Sequence, residues 1–167
     1  MRTDYLNDDI ISAILAALTP PNRLALIVSL TTGLRIGDVL ALRTEQVRKR
    51  RFTVCESKTG KKRRITLGAE LTDELLRHAG KIYVFEHRLD YRKHRTRQAL
   101  WADIKRASKA FRLKLCAAPH SARKIYAVKQ YKRTCDIKYV QRLLNHASEA
   151  VTWLYAAADE LTARKKL

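Results

Sequence analysis

Between residues 120 and 155 the chain places two histidines, an arginine and a tyrosine at spacings that could surround one phosphate. His120 and Arg123 lie three apart in Pro119-His120-Ser121-Ala122-Arg123, and the apolar residues Ile125, Ala127 and Val128 continue a helical pattern, so both side chains share one face of a first turn. A helix start favours anions through its free N–H groups and dipole, and an arginine there adds a planar fork matched to phosphate oxygens. That pairing is an oxyanion clamp. Downstream, Asp136 is placed to cap a helix with the stripe Ile137, Val140, Leu143 and Leu144, and Asn145 stands where a left-handed stop residue is expected. His146 then sits just past a helix end, held but accessible. Nine residues later comes Tyr155, which a short helix would return towards His146; a phenol becomes a nucleophile only when another group takes its proton.

The second positive group lies far upstream. Leu24, Leu26, Ile27, Val28 and Leu30 predict an apolar helix through Arg23 to Thr32, Gly33 permits a sharp turn, and a new helical pattern starts at Arg35. Arg35 thus stands at a break between helices, with Asp38 one turn on and placed to hold its guanidinium. Phe52 to Glu56 and Arg63 to Leu67 read as two short strands, and the turn between them carries Lys58. The remaining elements are helical. Asn7 caps a helix bearing Ile10, Ile11, Ile14, Leu15 and Leu18 that Pro20-Pro21 stops; Leu71, Leu75 and Leu76 mark another; Leu100, Ile104, Ala107, Phe111 and Leu115 mark a third. The polar run from Asp90 to Gln98 reads as a loop between the hairpin half and the helical half, and residues 156–167 as a terminal helix. The expected fold class is mainly α with a small antiparallel β-sheet (α+β), as one domain over residues 1–167.

Taken together, Thr32-Gly33-Leu34-Arg35-Ile36-Gly37-Asp38, Lys58-Thr59-Gly60, His120-x-x-Arg123, Leu143-Leu144-Asn145-His146 and Thr152-x-x-Tyr155 resemble, in order and separation, the tyrosine recombinase (phage integrase) family. The resemblance runs from about residue 8 to about residue 158, and it implies a single catalytic domain over residues 1–167 without the separate N-terminal DNA-binding domain that family members usually carry. Asn145 replaces a glycine usual in the family, Thr134 another, and Ala122 a leucine. The resemblance implies that Tyr155 attacks a DNA phosphodiester, leaving a 3′-phosphotyrosyl bond and a free 5′-hydroxyl, so that religation needs no ATP. Arg35, Arg123 and His146 would stabilise the charge that develops on the non-bridging oxygens, His120 would take the phenolic proton, and Lys58 would protonate the departing oxygen. Asp38 would orient Arg35. No cofactor and no metal are implied. The expected partners are double-stranded DNA, a tetramer assembled on two DNA sites from a chain that is monomeric in free solution, and accessory DNA-bending proteins. The expected location is the cytoplasm of a bacterial host, at the nucleoid or in the service of a phage or plasmid.

Composition points to the same substrate class. Thirty-five Lys and Arg against sixteen Asp and Glu give a net charge of +19, which calls for a polyanion. The excess clusters on turns and helix faces, and Lys61, Lys62, Arg63, Arg64 and Lys124 are expected to contact DNA. No segment approaches the ~20 apolar residues of a membrane span. Cys55, Cys116 and Cys135 form no metal-spaced pair and read as reduced thiols inside the fold, while His78, His87 and His94 read as surface residues. Two other functions fit parts of this pattern: a type IB topoisomerase-like enzyme that cuts and reseals one strand without exchanging partners, and a basic nucleic-acid-binding module without catalysis.

Overall fold

The Asn7 side chain opens the first helix as its residue type predicts: Oδ1 accepts the Ile10 N–H at 3.0 Å, and Asp8 and Asp9 lie at the positive end of α1 (Asp8–Ala17). The structure, a computed structural model, describes residues 4–146 and 149–157. Pro20 and Pro21 begin α2 (Pro20–Thr32) rather than merely stopping α1, because the first turn of a helix has no use for their missing N–H groups. Then come α3 (Ile36–Leu40), α4 (Thr44–Arg48), β1 (Arg51–Cys55), β2 (Lys62–Thr66), α5 (Ala69–His78), α6 (Arg97–Ala110), α7 (Pro119–Thr134), α8 (Ile137–Leu144) and α9 (Glu149–Ala156). The two strands pair antiparallel, with Arg51 opposite Thr66 and Cys55 opposite Lys62, so each begins one residue earlier than the sequence pattern suggested. Mainly α with one small antiparallel sheet is the architecture observed among the described residues.

Helix α2 is central because it is apolar on two sides. Leu24, Ala25 and Val28 pack with α3, α4, the inner face of the sheet (Phe52, Val54, Ile65) and Leu75 of α5. Leu26 faces the opposite way, towards Ile11 and Ile14 of α1, Leu100 and Ile104 of α6, and Ala122 and Ile125 of α7. A third, smaller cluster joins Tyr126 and Ala127 of α7 to Val140 and Leu144 of α8, with Tyr155 of α9 packed against it. Asp103 of α6 locks the α1–α2 junction: its Oδ2 accepts from Thr19 N, Thr19 Oγ1 and Asn22 Nδ2 at 2.8–2.9 Å, and Arg106 pairs with Oδ1. Burial acts to raise this carboxyl, but the bonds from Asn22, Thr19 and Arg106 prevail and hold it down at about 2.

Gly33 ends α2 at φ +67°, in the left-handed region, and a Cβ there would lie 2.4 Å from Cδ1 of the buried Tyr126 ring. Both facts exclude a side chain. Gly33→Ala should therefore lower stability by about 2–4 kcal/mol, the sum of left-handed strain and a core clash. Denaturant unfolding checks this, and adding Tyr126→Ala should remove the relative penalty of the clash while leaving the backbone penalty.

The cysteines depart from expectation. Cys55 and Cys135 are exposed and Cys116 half-buried, because Cys55 takes an outward position of β1 and Cys135 forms the left-handed cap of α7 at φ 50°. The expected terminal helix over residues 156–167 falls almost wholly outside the described residues.

Candidate active site

Arg123 is a fully buried arginine, 1% exposed, and it ties three elements together. Pro119 opens α7, and Ser121 Oγ anchors the first turn to Asp4 O at 2.8 Å, so Arg123 faces inward. Its Nη1 donates to Gly33 O at 2.7 Å and its Nη2 to Leu144 O. It thus fixes the turn that leads into Arg35 and the end of α8 that leads into His146. Burial, then the charges of Arg35 and Arg63, push its pKa down to about 10, against the pull of Glu56 and Tyr155; it remains a cation at neutral pH.

Past the end of α8, Asp136 and Asn145 do what their residue types predict. Asp136 Oδ1 accepts Tyr139 N at 2.9 Å, and Asn145 takes φ 49°, ψ 37° as the left-handed cap. His146 is buried there, with Nδ1 3.0 Å from Thr152 Oγ1 of α9. When the Thr152 hydroxyl donates to Nδ1, the neutral ring carries its proton on Nε2, ready to donate. Thr152 belongs to the Thr152-x-x-Tyr155 motif, and its complete burial beside a histidine gives it a role.

Helix α9 delivers Tyr155 within the same chain. Its phenol hydrogen-bonds His120 Nε2, its ring stands edge-on to His146 with centroids 4.9 Å apart, and Lys124 Nζ lies 5.9 Å from its centroid. Burial raises the phenol's pKa, while Arg123 and Arg35 pull it back. His120 is pushed down to about 4 by dehydration and by the charges of Arg123, Lys124, Arg35 and Lys58. Its imidazole nevertheless keeps an open edge to solvent. His146 is likewise lowered to about 4, by burial and then by Arg123 and Arg35. Arg35, Lys58, His120, Arg123, His146 and Tyr155, drawn from five separate segments, therefore lie within one electrostatic neighbourhood, with Lys58 on the exposed β1–β2 turn.

These low values have a thermodynamic consequence with a definite sign. Both histidines are neutral in the folded chain down to about pH 4 but bind protons below about 6.5 when unfolded, so stability falls as pH drops from 6.5 towards 4. Urea unfolding at pH 7 and pH 4.5 should show that loss, and a His120→Gln/His146→Gln double variant should show a shallower one.

Three expectations need correction. Asp38 does not hold Arg35: Oδ1 accepts from Ser57 N at 2.9 Å and Ser57 Oγ at 2.8 Å, so it fixes the residue before Lys58. Arg35 is the extended residue before α3, at ψ 143°, and helical spacing to Asp38 does not apply to it. Its acidic partner is Glu56, a fully buried residue that the sequence reading missed. Arg63 was expected to contact DNA but turns inward, on the same face of β2 as Ile65, and bonds Thr32 O; Lys61, Lys62 and Arg64 are exposed. His87 and His94 are half-buried rather than on the surface, His94 against Tyr83. No group of metal-ligating side chains occurs among the described residues, and no helix there is long and apolar enough to cross a membrane.

Comparison with known proteins bears on this arrangement directly. The probable integrase/recombinase YoeC of Bacillus subtilis (strain 168) is 33% identical over 143 residues, 83% of this chain and 78% of that protein. The integrase of Escherichia phage P2 is 29% identical over 156 residues, and there the chain spans 43% of the relative's length. In fold, the chain superposes on a lambda integrase bound to a COC′ core site with a TM-score of 0.76 at 24% identity, covering 93% of this chain and 60% of that one. XerA recombinase gives 0.72 at 22% identity, covering 99% and 65%. The family profile matches residues 4–161, nearly the whole chain and every residue of the cluster around Arg123, and the chain belongs to the phage integrase family.

Proposed function

We propose that the protein is a site-specific DNA recombinase that cuts and rejoins strands through a 3′-phosphotyrosyl link at Tyr155. The contact of the Tyr155 phenol with His120 Nε2, inside the field of Arg35 and Arg123, carries this reading. A scissile phosphate between the two guanidiniums would be held in line with the phenol. His120 stays neutral and so remains a proton acceptor, though a weak one. Binding an anionic phosphate would offset the cations that depress it and raise its basicity when the substrate arrives. His146 would donate from Nε2 to a non-bridging oxygen, and Lys58 would supply the proton to the leaving 5′-oxygen.

The partner is duplex DNA. The net charge of +19 and the exposed Lys61, Lys62 and Arg64 beside the site support it, as do relatives whose structures hold DNA, one of them a lambda integrase tetramer on a Holliday junction. A tetramer on two sites, assisted by DNA-bending proteins and working at the bacterial nucleoid, is the corresponding assembly for this chain. Nicked duplexes randomised around the nick test the reading. The chain should form a denaturant-stable adduct on the DNA 3′ end, and the captured sequences should support recombinant junctions when placed in pairs. Relaxed circles without junctions would favour a topoisomerase-like enzyme, and no adduct on any duplex would leave a binding module.

A further inference from the structure

Glu56 is the one acidic residue between Arg51 and Arg64, and it is completely buried. Its main chain closes the turn that bears Lys58: its N–H donates to Lys61 O at 3.0 Å, and its carbonyl accepts from Gly60 N at 2.8 Å and Thr59 N at 3.2 Å. Its side chain reaches the other way. Oε2 accepts from Arg35 Nη1 and, at 3.3 Å, from Thr59 Oγ1. Oε1 faces Arg63 Nη1 at 3.7 Å, within ion-pairing distance, and neither atom has a hydrogen bond. Arg63 is itself pinned, by its bond to Thr32 O and by its place 6.0 Å from the centroid of the Tyr126 ring.

This arrangement is directional. The carboxylate has no exposure, while the Arg35 side chain keeps 18% of its surface open. Glu56 therefore grips the guanidinium from the protein side, and of five N–H donors the remaining ones are left for an incoming anion. Without that grip, repulsion from Arg123 would drive Arg35 away from the position a phosphate needs. We propose that Glu56, braced by Arg63, is the positioning residue that aims Arg35 at the scissile phosphate and couples it, through Thr59, to the turn carrying Lys58. The proposal rests on the strand-cutting reading above. It assigns to Glu56 the orienting task expected of Asp38.

The test compares adduct formation on an ordinary nicked duplex with formation on the two methylphosphonate diastereomers at the scissile position. Each diastereomer replaces one charged oxygen by a methyl group, so the arginine serving that oxygen loses its task. Arg35→Ala should be slow on the phosphodiester and restored on one diastereomer. Glu56→Gln/Arg63→Gln, which removes the buried carboxylate together with the cation it would strand, should lose about 30-fold or more on the phosphodiester. On the diastereomer that restores Arg35→Ala it should lose less than about 3-fold. Glu56→Asp, which keeps the charge but shortens its reach, should show the same pattern and provides the measurement should the double variant fail to fold. Equal loss on all three substrates, or no loss on the phosphodiester, would overturn the proposal while leaving the Arg35 result intact. No adduct from the unaltered chain would instead overturn strand cutting itself.

Discussion

Tyr155→Phe should abolish the covalent protein–DNA adduct and leave DNA binding nearly unchanged. In the proposed reaction the hydroxyl is the attacking atom, and its removal would leave no nucleophile at the phosphorus, so the loss should exceed about 10⁴-fold, down to the background of the assay. The ring is retained, so its edge contacts with His120 and His146 and its packing against the small cluster of Val140 and Leu144 survive. Loss of one hydroxyl bond to a solvent-edged imidazole should change stability by no more than about 1 kcal/mol. A gel shift beside a denaturing gel separates the two effects. Retention of the adduct would identify another nucleophile, and loss of binding along with the adduct would show that Tyr155 serves structure.

Arg123→Lys should damage both the fold and the chemistry, although the charge is kept. The guanidinium serves Gly33 O and Leu144 O from two different nitrogens, and in the proposed reaction its remaining N–H groups would serve the phosphate. A lysine ammonium is a single point on a flexible stem and cannot span both carbonyls. One buried carbonyl then loses its donor, at a cost of about 1–3 kcal/mol. Because Gly33 leads into Arg35 and Leu144 into His146, loosening either carbonyl also displaces a group that would contact phosphate. With one oxyanion donor set lost, adduct formation should fall by about 10²–10³-fold. Single-turnover rates at saturating DNA, beside urea unfolding of the same variant, measure the two losses independently.

Much of this site is legible in the sequence, because its parts are local. Asp136 and Asn145 announce the ends of α8, Pro119 the start of α7, and Gly33 the break before Arg35; each follows from backbone chemistry that one or two residues specify. What stays hidden is set by pairing across the chain. Glu56 meets Arg35 twenty-one residues away, and no periodicity records that contact, although a single acid in a densely basic hairpin is a hint that its charge is used internally. Asp38 differs for a definite reason: helical spacing does not hold for Arg35, whose backbone is extended, and the Asp38 carboxylate accepts from Ser57 instead. Arg63 illustrates the pleat prevailing over composition, since every second position of β2 must face inward whether or not it is charged. Helix α4, with five residues, is too short to show a period.

In the proposed reaction Tyr155 attacks a phosphate held between Arg35 and Arg123. Its most direct test is to digest the adduct trapped on a nicked duplex and sequence the DNA-bearing peptide by mass spectrometry. One modified peptide is expected, carrying a nucleotide 3′-phosphate on Tyr155, with its yield cut at least about 10²-fold by Arg35→Ala and by Arg123→Ala alike. A nucleotide on any other residue, or on Tyr155 at undiminished yield after either arginine is removed, would contradict it.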